Sequence, residues 1–463
     1  YRGLVGMSWD ALEYRRAPSS LFEAAFPVGV ATAVAMWTSG FIARLPFIQA
    51  HPAMLFGVLA VIMVWGGRQA ALRHPRHRAC ALYAALVAGT FDLLVLGSFL
   101  AEDLSDVRRT VMALTGLFTS LCLLAMLGAW TVSSQKLEVE ISSRGEGLRW
   151  LGASTFVASM VMIAIGGLVT SEEAGMAVPD WPASFGENMF LLPLSRMTGG
   201  IYYEHAHRLY GTLVGLVTLS FGVCVFLFRS PKNLRILASL AVIQVIFQGI
   251  LGGGRVTEVE SAIVVGGQVA QVQESGLSLA LRVFHGVDGQ LFLALTAVLW
   301  LLTSKVWNNP VKGHIPRNER FWSFVLLAGL TSQLTLGALS RHVSRDWMIP
   351  HIVGAFVVLG LVFLVSARCS QAGMPAPRVK IGVWLGVVAA VQVTLGFYAL
   401  AVTGSTVRVA SSGIEETLVA TAHQSIGAVL LTLAGLLLCW TYHEGLISEK
   451  RLSGTNFTIR KTS

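Results

Sequence analysis

The sequence predicts an all-α polytopic membrane protein with about twelve transmembrane helices, the last eight forming two pseudo-repeated four-helix bundles. Three observations predict it. The 463 residues are 54% hydrophobic and only 13% charged, with a mean hydropathy of +0.66. Apolar runs of roughly 20 residues, the length that crosses a bilayer as a helix, recur from one end to the other. In the last two-thirds, four histidines (His207, His285, His351 and His423) fall on alternate runs, each followed by a glycine at nearly the same offset: Gly211, Gly289, Gly354 and Gly427.

The apolar runs cover residues 24–44, 53–68, 80–100, 110–132, 149–170, 207–228, 234–252, 283–303, 321–340, 350–367, 380–402 and 420–441. Backbone polar groups in lipid must be satisfied within their own segment, so these runs read as helices rather than open sheet. The formal charge of +9 is no argument for nucleic acid. Basic residues in short loops orient membrane proteins instead. If twelve spans alternate, Arg68, Arg73, Arg76, Arg78, Arg229, Lys232, Arg235, Lys305, Lys312, Arg317, Arg320, Arg368, Arg378 and Lys380 share one side with the tail cations. Most loop carboxylates, among them Glu172, Glu173, Asp180, Glu258, Glu274 and Glu415, share the other. Both termini are then expected in the cytoplasm, with the chain in a bacterial cytoplasmic membrane. The first residues do not read as a cleavable signal or transit peptide. Cys80, Cys122, Cys224, Cys369 and Cys439 lie in or beside apolar runs, which favours small buried side chains over a disulfide framework.

Five segments follow. Residues 1–132 hold four helices with no pair of intramembrane histidines, and the sequence assigns them no role. Asp92 is the one costly residue among them. Residues 133–148 are polar and read as a cytoplasmic linker. Residues 149–303 and 304–445 are the two bundles, and 446–463 a cytoplasmic tail. Within the bundles a string repeats before the histidine helices: Gln248 to Gly252, Gln333 to Gly337 and Gln392 to Gly396. Ile163 to Gly167 lacks the glutamine but keeps the glycine. The unit is a helix pair present four times.

Histidine is costly in a bilayer. Four at one depth, two per bundle, is the pattern of paired axial ligands to two haem irons, His207 with His285 and His351 with His423. The glycines three or four residues on share the histidine's helix face and would let a flat macrocycle approach. The string Tyr202-Tyr-Glu-His-Ala-His-Arg208 adds chemistry. Glu204 is one turn from His207, where a carboxylate could accept a proton or position water. Arg208 could pair a propionate as a bidentate donor. His205 points elsewhere and reads as interfacial. His51, His74, His77, His314 and His443 fall in loops or tails and read as solvated. Two prolines stiffen the loop Pro179-Asp-Trp-Pro182, expected over the end of the first bundle.

At these residues the chain resembles the haem A synthase family. The matching strings are Gly166 to Val169, Pro179 to Pro182, Glu204 to Arg208, Gly252 to Thr257, Phe284 to Gly286 with Gly289 and Gln290, Gln333 to Ala338, and Ala422-His423. They cover about residues 149–445 in order. The resemblance implies oxidation of the C8 methyl of haem O to a formyl group through the hydroxymethyl intermediate. It makes Glu204 the catalytic carboxylate and His207 and His285 the ligands of the substrate haem. It makes His351 and His423 the ligands of a haem b cofactor. It implies haem O synthase and cytochrome oxidase assembly factors as partners, names no electron donor, and leaves a homo-oligomer open. Two departures stand out. The cysteine that many members carry after the D-W-P string is absent from Ala183-Ser-Phe-Gly186, and Asp288 stands where a small or apolar residue is expected. Two other readings are a di-haem cytochrome b that only carries electrons and a transporter with histidine relays. Glu204 argues against the first, because an electron carrier needs no carboxylate beside its ligand. The end-on placement of the polar residues argues against the second.

Overall fold

The computed structural model describes residues 20–100, 106–132, 144–265, 268–308, 311–313, 315–316, 318–404, 413–443 and 446–447. The expected linker residues 133–143, His314, Arg317 and nearly all of the tail lie outside them. The chain is an integral membrane protein: twelve of its helices are long and apolar enough to cross a bilayer.

The first four are α1 (Leu21–Ala43), α2 (Pro52–Ala71), α3 (His77–Leu100) and α4 (Val107–Trp130). A capping box starts α1: the Ser20 hydroxyl accepts from the Glu23 N–H at 3.1 Å, and Glu23 accepts from the Ser20 N–H at 3.3 Å. These helices pack through small residues. Ala81, Ala84, Ala85 and Ala88 of α3 are fully buried. A Cβ on Gly29 of α1 would lie 2.7 Å from the Ala84 carbonyl, and Gly67 and Gly128 bring the α2 and α4 backbones into direct contact. Lipid gives no hydrophobic drive between helices, so close approach of this kind carries the association.

The remaining long helices are α5 (Arg144–Ser171), α6 (Gly199–Leu227), α7 (Lys232–Thr257) and α8 (Gly276–Leu302), then, after the one-turn α9 (Lys305–Asn308), α10 (Asn318–His342), α11 (Met348–Cys369), α12 (Ala376–Gly404) and α13 (Ile414–Trp440). In the first set α5 packs on α6 and α8, and α7 on α6 and α8. In the second α10 packs on α11 and α13, and α12 on α11 and α13. The sets meet through α13 against α5 and α8, and through α10 against α8, while α1 packs against α5.

Several boundaries differ from the sequence reading. Helix α5 starts at Arg144, inside the expected linker, because Glu146 pairs with Arg73 at 3.3 Å and Leu148 is fully buried. Helices α6, α8 and α13 begin well before their apolar runs. Their first turns are too polar to register by hydropathy, so His207, His285 and His423 sit roughly two turns inside their helices. Only His351 lies in the first turn. The loop after α7 is not irregular: Val259–Val265 and Gln268–Glu274 form an antiparallel hairpin. Two cations assigned to a loop are not solvated. Arg378 is fully buried and meets Glu319 at 2.5 Å, and Arg368 meets the other Glu319 oxygen. The five cysteines are free thiols, three of them buried.

Candidate functional site

Each histidine ring lies against a glycine of the preceding long helix. A Cβ on Gly252 would lie 3.2 Å from His285 Cε1, on Gly337 2.9 Å from His351 Cε1, and on Gly396 3.0 Å from His423 Cε1. Gly166 does the same for His207, 3.5 Å from Nε2. Four residues before each ring-facing glycine stands a side chain that fills the opposite half of the contact. Gln248 meets Gly289, Gln333 meets Gly354, Gln392 meets Gly427, and Met162 stands in the glutamine's place against Gly211. So the glycines after the histidines face the preceding helix, and Gly211 and Gly289 sit at helix–helix contacts. The string that looked incomplete at Ile163 is completed by Met162, a residue whose apolar side chain gave no signal.

The rings come together in two pairs. His207 and His285 have centroids 6.1 Å apart with planes at 62°. His351 and His423 have centroids 6.4 Å apart with planes at 89°. Two in-line imidazole–metal bonds of about 2 Å, with about 1 Å more from each nitrogen to its ring centre, separate two ring centres by about 6 Å. The spacing of both pairs therefore fits one metal ion between two imidazoles. Among the described residues no group of three or more His, Cys, Asp or Glu is placed to hold an ion. Two facing imidazoles are a donor set that would suit a haem iron. Ring nitrogens of the second pair have glutamine neighbours: Gln392 Nε2 lies 3.5 Å from His423 Nε2. Gln333 Nε2 lies 3.0 Å from His351 Nδ1. His285 Nδ1 and His423 Nδ1 are buried with no hydrogen bond closed.

Beside the first pair, Glu204 is almost wholly buried and both its oxygens are engaged. One accepts from Arg208 Nη2 at 2.5 Å, the other from the Val178 backbone N–H at 2.7 Å. Arg208 also donates to the carbonyls of Val178 (2.9 Å), Asp180 (2.5 Å) and Ala183 (3.1 Å). Four of its five N–H donors are thus used inside the protein. Arg208, expected at a propionate, ties Glu204 and the Asp180–Pro182 loop together. Asp180 folds that loop by accepting from the N–H groups of Phe185 and Gly186, both at 2.7 Å. Trp181 lies directly on Gly253, next to the glycine that faces His285.

Asp288 has a partner set that the sequence left open. Its two oxygens accept from Gln244 at 2.8 Å and Gln248 at 2.7 Å, fastening α8 to α7. His205 is not interfacial: it is fully buried, with Nδ1 3.3 Å from Ser184 Oγ under the same loop. His74 and His443 are not solvated either. His74 Nδ1 accepts from the Arg76 N–H at 3.0 Å, and His443 stacks on Trp440 at 4.6 Å. His51 caps α2, and His77 Nδ1 lies 2.7 Å from the Ala71 carbonyl.

Fold and site together define a polytopic membrane protein with two facing pairs of intramembrane histidines, one of them beside a buried Glu–Arg pair. Residues 148–348 match the family model COX15-CtaA, described as cytochrome oxidase assembly protein. The match takes in His207, His285 and Glu204 and ends before His351. Three curated relatives are each called heme A synthase. That of Shouchella clausii is 30% identical over 124 residues, 26% of this chain and 39% of the relative. That of Halalkalibacterium halodurans is 31% identical over 113 residues, 24% and 36% of the two chains. That of Geobacillus thermodenitrificans is 26% identical over 207 residues, 44% and 59%. The chain thus spans less than two-thirds of the length of each of these relatives.

Proposed function

We propose that this protein is a haem A synthase, oxidising the C8 methyl of haem O to a formyl group through the hydroxymethyl intermediate. One observation carries the reading: a buried carboxylate, Glu204, is held in fixed geometry one turn from a histidine that faces a second histidine across the span of a metal ion. That segment also lies within residues 148–348, the part of the chain that matches the family model.

In this reading His207 and His285 hold the iron of the substrate haem O. Arg208 and the Val178 N–H each take one lone-pair site of Glu204 out of about four on a carboxylate, so the others remain to accept a proton or orient water at the oxidised carbon. The Trp181 loop covers this end of the helices and limits water there. His351 and His423 hold a haem b, which supplies electron transfer when bound. Residues 149–303 then form the substrate bundle and 304–445 the cofactor bundle. The location is a bacterial cytoplasmic membrane with both termini inside, and the product passes to cytochrome oxidase assembly downstream of haem O synthase.

The test is expression with a haem O source, followed by extraction, chromatography and mass analysis of the haems. Haem A or the hydroxymethyl compound is the expected product. Recovery of haem b alone would instead make the chain an electron-carrying di-haem cytochrome b.

A further inference from the structure

With Arg208 engaged, the anionic edge of a bound tetrapyrrole needs other cations. Two arginines lie one helical turn from the first ring pair, on two different helices. Arg255 follows Gly252 by three residues on α7, and Gly252 is the residue against the His285 ring. Arg282 precedes His285 by three residues on α8. Residues three apart share a helix face, so both guanidiniums lie toward the loop end of the same interhelical space.

Their charge is not balanced within the protein. A single oxygen of Glu274 serves both, at 2.9 Å from Arg282 Nη1 and 3.6 Å from Arg255 Nη2. The other oxygen of Glu274 accepts from Ser278 Oγ at 3.0 Å. Arg255 Nε is buried and without a hydrogen-bond partner. The Arg255 guanidinium also lies over Gly175, where a Cβ would come within 2.6 Å of Nη1, so the α5–α6 loop is shaped to leave it room. Glu204 and Glu173 also act on these guanidiniums, but each has an arginine of its own, Arg208 and Arg341, so four cations against three carboxylates leave an excess positive charge in a site of restricted hydration. Such an arrangement is costly unless an anion joins it. Guanidinium geometry suits a carboxylate in particular.

We propose that Arg255 and Arg282 bind the carboxylate side chains of the tetrapyrrole held by His207 and His285, Arg255 through its unpartnered edge and Arg282 in exchange with Glu274. This rests on the haem site of the proposed function and adds the recognition of its acidic edge. The ligand class is a metal tetrapyrrole with free propionates. An esterified tetrapyrrole is discriminated against.

The test compares iron protoporphyrin IX with its dimethyl ester, which keeps the iron and ring but removes both negative charges. The full-length chain is purified without haem in the His351→Ala background, which leaves the first pair as the bis-histidine site, and loading is read from the low-spin Soret band. The free acid is expected to bind about tenfold or more tighter than the ester, the scale of one charge-assisted hydrogen bond. In Arg255→Gln/Arg282→Gln that preference collapses towards unity, while Arg255→Lys/Arg282→Lys retains part of it. Arg196→Gln, at an exposed pair with Glu187, keeps the full preference. Because each protein is compared with itself on two ligands, a general loss of stability does not imitate the result. An undiminished preference in the Gln variant overturns the arginine assignment alone. Absence of any low-spin spectrum with the free acid overturns the haem site, and the proposed function with it.

Discussion

The Tyr210 hydroxyl of α6 lies 2.8 Å from Thr38 Oγ1 of α1, one turn beyond His207. Two turns before it, the Tyr202 hydroxyl donates to the Phe41 carbonyl of the same α1 at 2.7 Å. The two bonds bracket Glu204 and His207, so the front four helices hold the site-bearing helix at both ends of its functional stretch. Neutral hydrogen bonds of this kind contribute about 1 kcal/mol each. Tyr202→Phe and Tyr210→Phe should each lower stability by about that amount in detergent unfolding. A Thr38→Val change should add little to Tyr210→Phe, since both remove one bond.

The ring-facing glycines make a sharper prediction. Gly337→Ala places a methyl 2.9 Å from His351 Cε1, closer than packed carbons come, so the ring must shift from its present position opposite His423. One of two bis-histidine haem signals should be lost from the optical and EPR spectra. Gly211→Ala meets only the flexible end of Met162 at 3.5 Å, and should keep both signals.

Arg208→Gln should be among the most damaging polar changes. It leaves the Glu204 charge buried without its partner, a loss of about 3–5 kcal/mol, and frees three loop carbonyls. Adding Glu204→Gln should restore part of the stability, read as positive coupling in a double-mutant cycle. Equal, additive losses would show that the two side chains act separately.

His443 gives a pH prediction outside the membrane spans. Burial against Trp307 and Trp440 lowers its pKa below the usual 6.5, partly offset by its contact with the Trp307 carbonyl. The unfolded chain then takes up a proton before the folded one does. Stability is unaffected above about pH 6.5 and falls as the pH drops below it. His443→Phe should flatten that part of the stability profile, measured by thermal unfolding from pH 5 to 8 (about the range of an ordinary histidine titration).

The twelve spans and the four histidines were legible because both are local signals: apolar length, and a costly residue type in an apolar run. The helix starts were not. The turns carrying Glu204 and Arg282 are polar, and only the loop and hairpin that cover them show why they are helical. Partners across the fold were equally hidden. Arg208 looked like a free propionate donor until the Asp180 loop was seen folded onto it, and Met162 gave no sign that it fills the glutamine's position. Asp288 looked like a departure; its meaning lay in Gln244 and Gln248, forty and more residues earlier in the chain.

The most direct test of the central claim is haem extraction from cells making wild-type protein and Glu204→Ala with haem O available. The account predicts haem A or its hydroxymethyl precursor from wild type. From Glu204→Ala it predicts bound haem but no oxidised product. Normal haem A from Glu204→Ala would contradict the role of this carboxylate, and haem b alone from wild type would contradict the synthase itself.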